Sequence, residues 1–267
     1  MYLRAAHADL HLPTLYKFIL ANPLGILTTC LPSPNFHTIQ TSHIPWVLEF
    51  PDPDTTTTKS DASDSENTAT TKARLRGHLA RVNPQAKALI ESATQTSSST
   101  LKQEVMILFN GPTHHYVTPK FYVETKPATG KVVPTWNYSA VQVYGTATIH
   151  FDTSSPTTGE FLTTQIDDLS QQSEEKIFGF DGQEGRSKAW SVDDAPDNFI
   201  KLLKKAIIGI EIEVESVEGK FKMSQELKEG DREGVVRGFE KLGTDEGDEI
   251  ARTVKERGVK KESGKAS

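Results

Sequence analysis

SAVQVYGTATIHF, residues 139–151, is the stretch that decides the fold. Val141, Val143 and Gly145 fall on one face at a spacing of two, the period of a β-strand and not of a helix. It is the longest strand candidate in the chain, and the same signal recurs on both sides of it. ARLRGHLARV (73–82) alternates apolar Leu75, Gly77 and Leu79 with polar Arg76 and His78. EVMILFNG (104–111) reads as a buried strand, and HHYVTPKFYV (114–123) continues as strand beyond the turn at Gly111-Pro112. LGILTTC (24–30) is rich in β-branched residues, and SHIPWVLEF (42–50) is a second strand in which Pro45 marks an edge or a bulge. IIGIEIEVESVEGKFKMS (207–224) is expected to close the sheet as a strand pair or hairpin turning near Glu218-Gly219.

Helices punctuate these strands. PTLYKFILAN (13–22) has proline in its first turn and is stopped by Pro23. NPQAKALIESA (83–93) has an Asn cap followed by Pro at the first helical position. Two acidic helices, 157–172 and 193–206, flank the Gly-rich loop FGFDGQEGR (178–186). Strands outnumber helices and suit antiparallel pairing, so the architecture expected is mainly β: a small antiparallel barrel decorated by α-helices.

Composition bounds the rest. With 267 residues, 36% hydrophobic and 25% charged, the chain can bury a proper core, and a wholly disordered or fibrous chain is excluded. A single cysteine, Cys30, excludes a disulfide framework and a cysteine-rich zinc site. No apolar run approaches the roughly 20 residues of a membrane helix, and MYLRAAHADLHL has no secretory core, so a cytoplasmic protein without membrane partners is expected; a nuclear location suits a regulatory role in a eukaryote. The net charge of −6 opposes long-range attraction to nucleic acid.

Residues 51–72 hold ten Ser/Thr and no apolar side chain larger than Ala, which predicts a disordered surface loop. A second such insertion is expected near 94–103. Residues 1–243 are read as one domain and 244–267 as a flexible charged tail, whose 252–265 stretch carries six Lys/Arg against two Glu.

The chemistry-bearing candidates fall into two groups. Thr28, Thr29, Ser42, His43, Arg76 and His78 lie on three successive strand candidates, where hydroxyls and cations could converge on a phosphate. Ordinary solvent-facing strand polarity is the simpler explanation of them. KVVPTWNYSAVQVYG (131–145) contributes Lys131, Thr135, Trp136, Asn137 and Tyr138, a mixture of rings, hydroxyls and an amide suited to a planar heteroaromatic ligand, or simply to a Trp packed at a strand start. The hairpin cations Lys220 and Lys222 present charge to a phosphate or merely solvate a turn. No metal site is predicted: His7 and His11 lack an intervening Glu, and the adjacent His114 and His115 point to opposite faces of a strand. No nucleophile elbow, Walker loop or dinucleotide-binding glycine motif is present.

Seven blocks, taken together, resemble the PaiB family, FMN-binding negative transcriptional regulators of the PAI 2 type. They are Met1-Tyr2, PLGILTT (23–29), TSHIPWVLE (41–49), LRGHLARVNPQ (75–85), FNGPTHHYVTPKFY (109–122), KVVPTWNYSAVQVYG (131–145) and GIEIEVESVEGKFKMSQ (209–225). The resemblance implies an FMN-binding split barrel of six antiparallel strands, usually a homodimer with the flavin at the subunit interface. Fold alone does not choose an activity, so catalytic residues and substrate stay open. Flavin-dependent redox chemistry, regulation through DNA or a partner, and haem handling are the readings it leaves. His43 and His78 are the nearest acid–base candidates because imidazole titrates near neutrality. Direct DNA binding is disfavoured, since no helix-turn-helix is visible and the only basic cluster is the tail. The segments near 51–72, 94–103 and 179–185 look like insertions. Thr118, Phe121 and Glu226 depart from the family pattern, and a carboxylate at Glu226 puts the Lys220–Glu226 segment in doubt as a contact for phosphate.

Overall fold

The computed structural model describes residues 1–50 and 72–263, so nearly all of the loop expected at 51–72 lies outside the described residues. In chain order the elements are β1 (Ala8–Asp9), α1 (Leu12–Ala21), β2 (Leu24–Cys30), β3 (Ile39–Pro45), β4 (Val47–Glu49), β5 (Arg74–Ala80), α2 (Pro84–Thr96) and β6 (Thr100–Asn110). There follow β7 (His115–Val117), α3 (Thr125–Thr129), β8 (Thr135–His150), α4 (Pro156–Gln171), α5 (Asp197–Lys205), β9 (Ile207–Lys222), α6 (Glu229–Glu240) and α7 (Asp245–Ser263).

Hydrogen-bonded neighbours run β3-β2-β6-β8-β9-β5-β4, with β1 added on β9 and β7 on β8. Only Trp46 separates β3 from β4, so the two ends of this path are one bent stretch of chain. Counting β3 and β4 as one strand, the path has the six strands of an antiparallel split barrel. The bend sits where Pro45 withholds a ladder donor. Trp46 is fully buried there, its backbone N–H donating to Pro23 O at 2.9 Å. On β5, Gly77 meets this corner: a Cβ on it would lie 2.8 Å from Ile44 Cγ2 and 3.0 Å from the Trp46 ring.

The chain divides into two compact units. One comprises Met1–Asn22, Phe109–Gln142 and Val217–Ser267, the other Pro23–Leu108 and Val143–Ser216, and β6, β8 and β9 run through both. The second unit holds β2 to β5 and buries Leu27, Ile44, Trp46, Leu75, Ile107, Ile208, Ile210 and Ile212. The first unit is centred on Val117, Tyr122, Val235, Val236, Phe239, Ile250 and Val254.

Three expectations are corrected. Residues 94–103 are not a disordered insertion. Asn83 caps α2 by accepting the Gln85 N–H at 2.8 Å, the helix runs to Thr96, Ser97 ends it at φ 51°, and β6 starts at Thr100. The segment from Thr244 is no flexible tail. Ile250, Ala251 and Val254 form a helical stripe buried with Val235, Val236 and Phe239 of α6. Finally, Ile207–Lys222 is one strand without a hairpin. Gly219 is there for close approach: it pairs with Asp9, and a Cβ would meet Leu15 Cδ2 at 2.2 Å.

Candidate functional site

The six residues read from β2, β3 and β5 do not converge. Thr29 is buried and its hydroxyl accepts from Gln85 Nε2 at 3.0 Å, while Ser42 accepts from Asn83 Nδ2 at 3.2 Å, so both serve the start of α2. Thr28 and His43 lie on the opposite, outer face, in register with Thr41 and Ile26 respectively. Arg76 is buried in an ion-pair hub: its Nε donates to Glu49 at 3.0 Å and its Nη2 to Asp168 of α4 at 2.5 Å. Two carboxylates thus hold the Arg76 guanidinium, while its Nη1 is buried without a hydrogen-bond partner. His78 points to a different place again, an apolar cavity under α4 and α5.

The first unit gathers a more coherent set. β7 pairs with β8 so that Tyr116 lies opposite Trp136 and His115 opposite Asn137. The period of two then sorts the side chains. Val117 and His115 turn inward, His115 lying edge-on to Phe239 at 5.1 Å, while Tyr116, Trp136 and His114 face out. The Tyr116 and Trp136 rings meet edge-to-face at 6.1 Å, and His114 tilts over Trp136 at 6.3 Å. Trp136 is 54% exposed, far more than a packed tryptophan at a strand start would be.

Cations border this ledge from β9. Lys220 Nζ lies 5.4 Å from the centre of the Tyr138 ring and 5.7 Å from that of Tyr2. Lys222 donates to Thr135 Oγ1 and, at 2.7 Å, to the Trp136 carbonyl. Burial depresses the Lys222 pKa; Glu226 opposes this and the nearby charges of Lys220 and Arg4 add to it. Lys131 is exposed and makes no such contact among the described residues.

Asn137 is fully buried and turned into the fold. Its amide exchanges hydrogen bonds with Ser224 Oγ at 3.1 and 3.2 Å, fixing Ser224 at φ 60°, a left-handed conformation that costs a non-glycine residue about 1 kcal/mol. Asn137 therefore positions the chain leaving β9. The carboxylate of Glu226, two residues on, accepts from the buried His7 at 3.0 Å. Burial would raise the Glu226 pKa, but the His7 bond, a backbone N–H and the Lys222 charge outweigh it and hold the carboxyl below its usual value.

Sequence reading missed Arg4, Tyr2 and Tyr116 as site residues, because their positions follow from the β1–β9 and β7–β8 pairings and from no local motif. Alternation in HHYV was the one available signal for Tyr116. Among the described residues, no group of three or more His, Cys, Asp or Glu is placed to hold a metal ion, and no helix is long and apolar enough to cross a membrane.

A family model described as "Putative FMN-binding domain" matches residues 1–216. The chain belongs to this FMN-binding domain family. The match spans Tyr2, Arg4, Tyr116, Trp136 and Tyr138 and ends before Lys220 and Lys222. An uncharacterized protein of Aspergillus fumigatus is 57% identical over 98% of this chain and 99% of its own length. The family resemblance to PaiB holds: the protease synthase and sporulation protein PAI 2 of Bacillus subtilis is 26% identical over 60% of this chain and 61% of its own. Among solved structures, the FAD and haem binding protein of Mycobacterium smegmatis superposes with a TM-score of 0.41 at 10% identity, covering 81% of this chain and 73% of that one.

Proposed function

We propose that this protein binds FMN on the aromatic and cationic ledge of the first unit, and that it works as a homodimer in flavin-linked redox chemistry or regulation. The observation that carries the reading is the exposed Trp136, bracketed by Tyr116 and His114 and bordered by Lys220, Lys222 and Arg4. FMN is a planar tricycle with a phosphate on a flexible ribityl arm, and the residues present fit both ends. An indole with an open face stacks on a flat ring system. Lys220 and Arg4 make no ion pair among the described residues, so both remain available to a phosphate dianion. When bound, the flavin would supply hydride or electron transfer. Trp136 would orient the ring, and Lys220 and Arg4 would fix the phosphate.

A second copy has a matching place in the other unit. The outer face of β2 and β3 carries Leu24 at 58% and Ile39 at 68% exposure, with Ile26, Met106 and Leu108 half-buried between them. Thr28, Thr41 and His43 lie on the same face. A contiguous apolar sheet face of this kind supports a self-complementary dimer contact. Regulation by direct DNA binding draws less support: in the basic stretch, Arg252 pairs with Glu249 and Glu256, Lys255 with Glu240 at 2.6 Å, and Arg257 with Asp9 at 2.6 Å.

The test is titration of the full chain with FMN, read by quenching of flavin fluorescence, alongside native mass measurement. Saturable binding with a dimer mass is expected, with Trp136→Ala and Lys220→Ala each weakening FMN at least tenfold while melting temperature holds. Wild-type affinity in both variants would remove the ledge as the site. A Soret band in place of flavin absorbance would replace this reading with haem handling.

A further inference from the structure

The N-terminal arm that carries Tyr2 and Arg4 to the ledge is held by little backbone. β1 is two residues long, Ala8 pairing with Lys220 and Asp9 with Gly219, and the Phe221 N–H donates to the His7 carbonyl at 2.8 Å. So short a pairing contributes little by itself. A turn sets Arg4 above it, its carbonyl accepting from the N–H groups of His7 and Ala8 at 2.8 and 2.9 Å. Charge works against the arm. Arg4 and Lys220 both lie near enough to Lys222 to depress its pKa, so three cations repel one another where the arm meets β9.

Side chains hold the arm against that repulsion. His7 meets Glu226 at 3.0 Å. A second tie comes from α7, beyond the residues that the FMN family model matches. Arg257 Nη1 donates to Asp9 Oδ2 at 2.6 Å across 248 positions of sequence, and these side chains are only 14% and 11% exposed. The guanidinium stacks over Phe221 of β9, 3.4 Å from the ring centre, which fixes its plane. Asp9 Oδ1 accepts the His11 N–H at 3.1 Å, so one carboxylate joins the arm, the start of α1 and α7. An ion pair this little exposed is weakly screened, and loss of one partner strands the other charge.

We infer that Arg257 is a positioning residue for the phosphate end of the flavin site: by holding Asp9 it keeps the arm on β9 and Arg4 beside Lys220. This rests on the flavin reading proposed above. It makes α7 a latch, and the latched fraction scales the apparent affinity for a phosphate-bearing ligand.

Arg257→Met removes the charge and keeps an unbranched stem. Asp9→Asn is milder, because its amide oxygen can still accept from His11. Each full-length variant is titrated with FMN and with riboflavin, and hydrogen exchange of residues 2–9 is followed without flavin. Expected are a roughly tenfold loss of FMN affinity, the worth of one contact to a charged group, unchanged riboflavin affinity, and faster exchange at His7 and Ala8. Adding Arg257→Met to Arg4→Met should cost no further FMN affinity, because the latch acts through Arg4. Equal loss of FMN and riboflavin, or additive losses in the double variant, would show general damage and overturn the latch. Wild-type FMN affinity or wild-type exchange in the variants would overturn it too. If Arg257→Met does not fold, Asp9→Asn decides by the same criteria. A wild-type chain that binds neither FMN nor riboflavin would overturn the flavin reading and the latch together, whereas the other adverse results remove the latch alone.

Discussion

Replacing Ile250 by alanine tests whether the last helix belongs to the fold. Ile250 has no exposed surface and sits among Val235, Val236, Phe239, Ala251 and Val254. Truncation removes three carbons from a site enclosed by α6, and α6 cannot collapse into the gap because Gly234 and Gly238 already sit against Phe121. The cost is the transfer of those carbons plus a residual cavity, about 3 kcal/mol within the range of roughly 2–5 for Ile→Ala. That is a change of about two orders of magnitude in the local folding equilibrium. If the chain melted as one cooperative unit, the midpoint would fall by about 6–12 °C. With two compact units, loss is expected first in the first unit. Trp136 reports on that unit by fluorescence, and Trp46 and Trp190 report on the other. The assay is therefore thermal and urea unfolding of Ile250→Ala followed in a background where Trp136 is the single tryptophan. An unchanged midpoint, or an unchanged midpoint after truncation at Thr244, would show that α7 is peripheral and refute the reasoning.

Gly77→Ala places a methyl group 2.8 Å from Ile44 Cγ2 and 3.0 Å from the buried Trp46 ring, so overpacking of about 1–3 kcal/mol is expected, read as a lower urea midpoint with unchanged slope. Asp231→Ala leaves the backbone N–H groups of Glu124 and Thr125, which it accepts at 2.8 and 3.1 Å, without their partner; about 2 kcal/mol of stability and the start of α3 are expected to go, checked by amide hydrogen exchange at Thr125. Burial would raise the pKa of Asp231, and of Glu226 also, but hydrogen bonds to the ionised form prevail and both carboxyls are held below their ordinary values. Their stabilisation is therefore complete above the ordinary carboxylate pKa and is lost as pH falls through the lower folded values. Acid melting curves of Glu226→Gln should show a shallower dependence over that window, and a slope equal to wild type would count against the His7–Glu226 contact.

The parts of the fold legible in the sequence were those set by local periodicity. LGILTTC has both ends of β2 right, and Asn83-Pro84 marks the start of α2, because a cap and a proline act on their own backbone. The break at Pro45 was legible for the same reason. What failed had non-local causes. Gly219 resembles a turn glycine, yet its small size serves the approach of Asp9 and Leu15, more than two hundred residues away. The Glu/Lys/Arg-rich last helix resembles a solvated tail because its buried stripe is only Ile250, Ala251 and Val254, and charged neighbours swamp it in any composition window. At the candidate site, the rings of the TWNY segment were found, but their sorting was not. Alternation sends Trp136 outward and Asn137 into the core, and only the pairing with β7 says which is which.

Glu226 lies among the cations that border the ledge. A carboxylate beside Lys222 would defeat an anion site if it offered the lysine a nearer partner than any phosphate. The structure answers this through His7, which is buried and takes Glu226 at 3.0 Å, while Lys222 turns to Thr135 and the Trp136 carbonyl. The carboxylate then offsets one of three clustered cations, Arg4, Lys220 and Lys222, without forming an ion pair with any of them. Without Glu226, burial and mutual repulsion would push Lys222 further toward its neutral form and weaken its hold on the Trp136 backbone. On this reading, Glu226→Gln costs affinity for FMN indirectly, through a looser Trp136 under the flavin ring, so riboflavin, which lacks the phosphate, should lose as much as FMN. A loss confined to FMN would place Glu226 at the phosphate itself, and a gain in FMN affinity would show that the carboxylate merely competes.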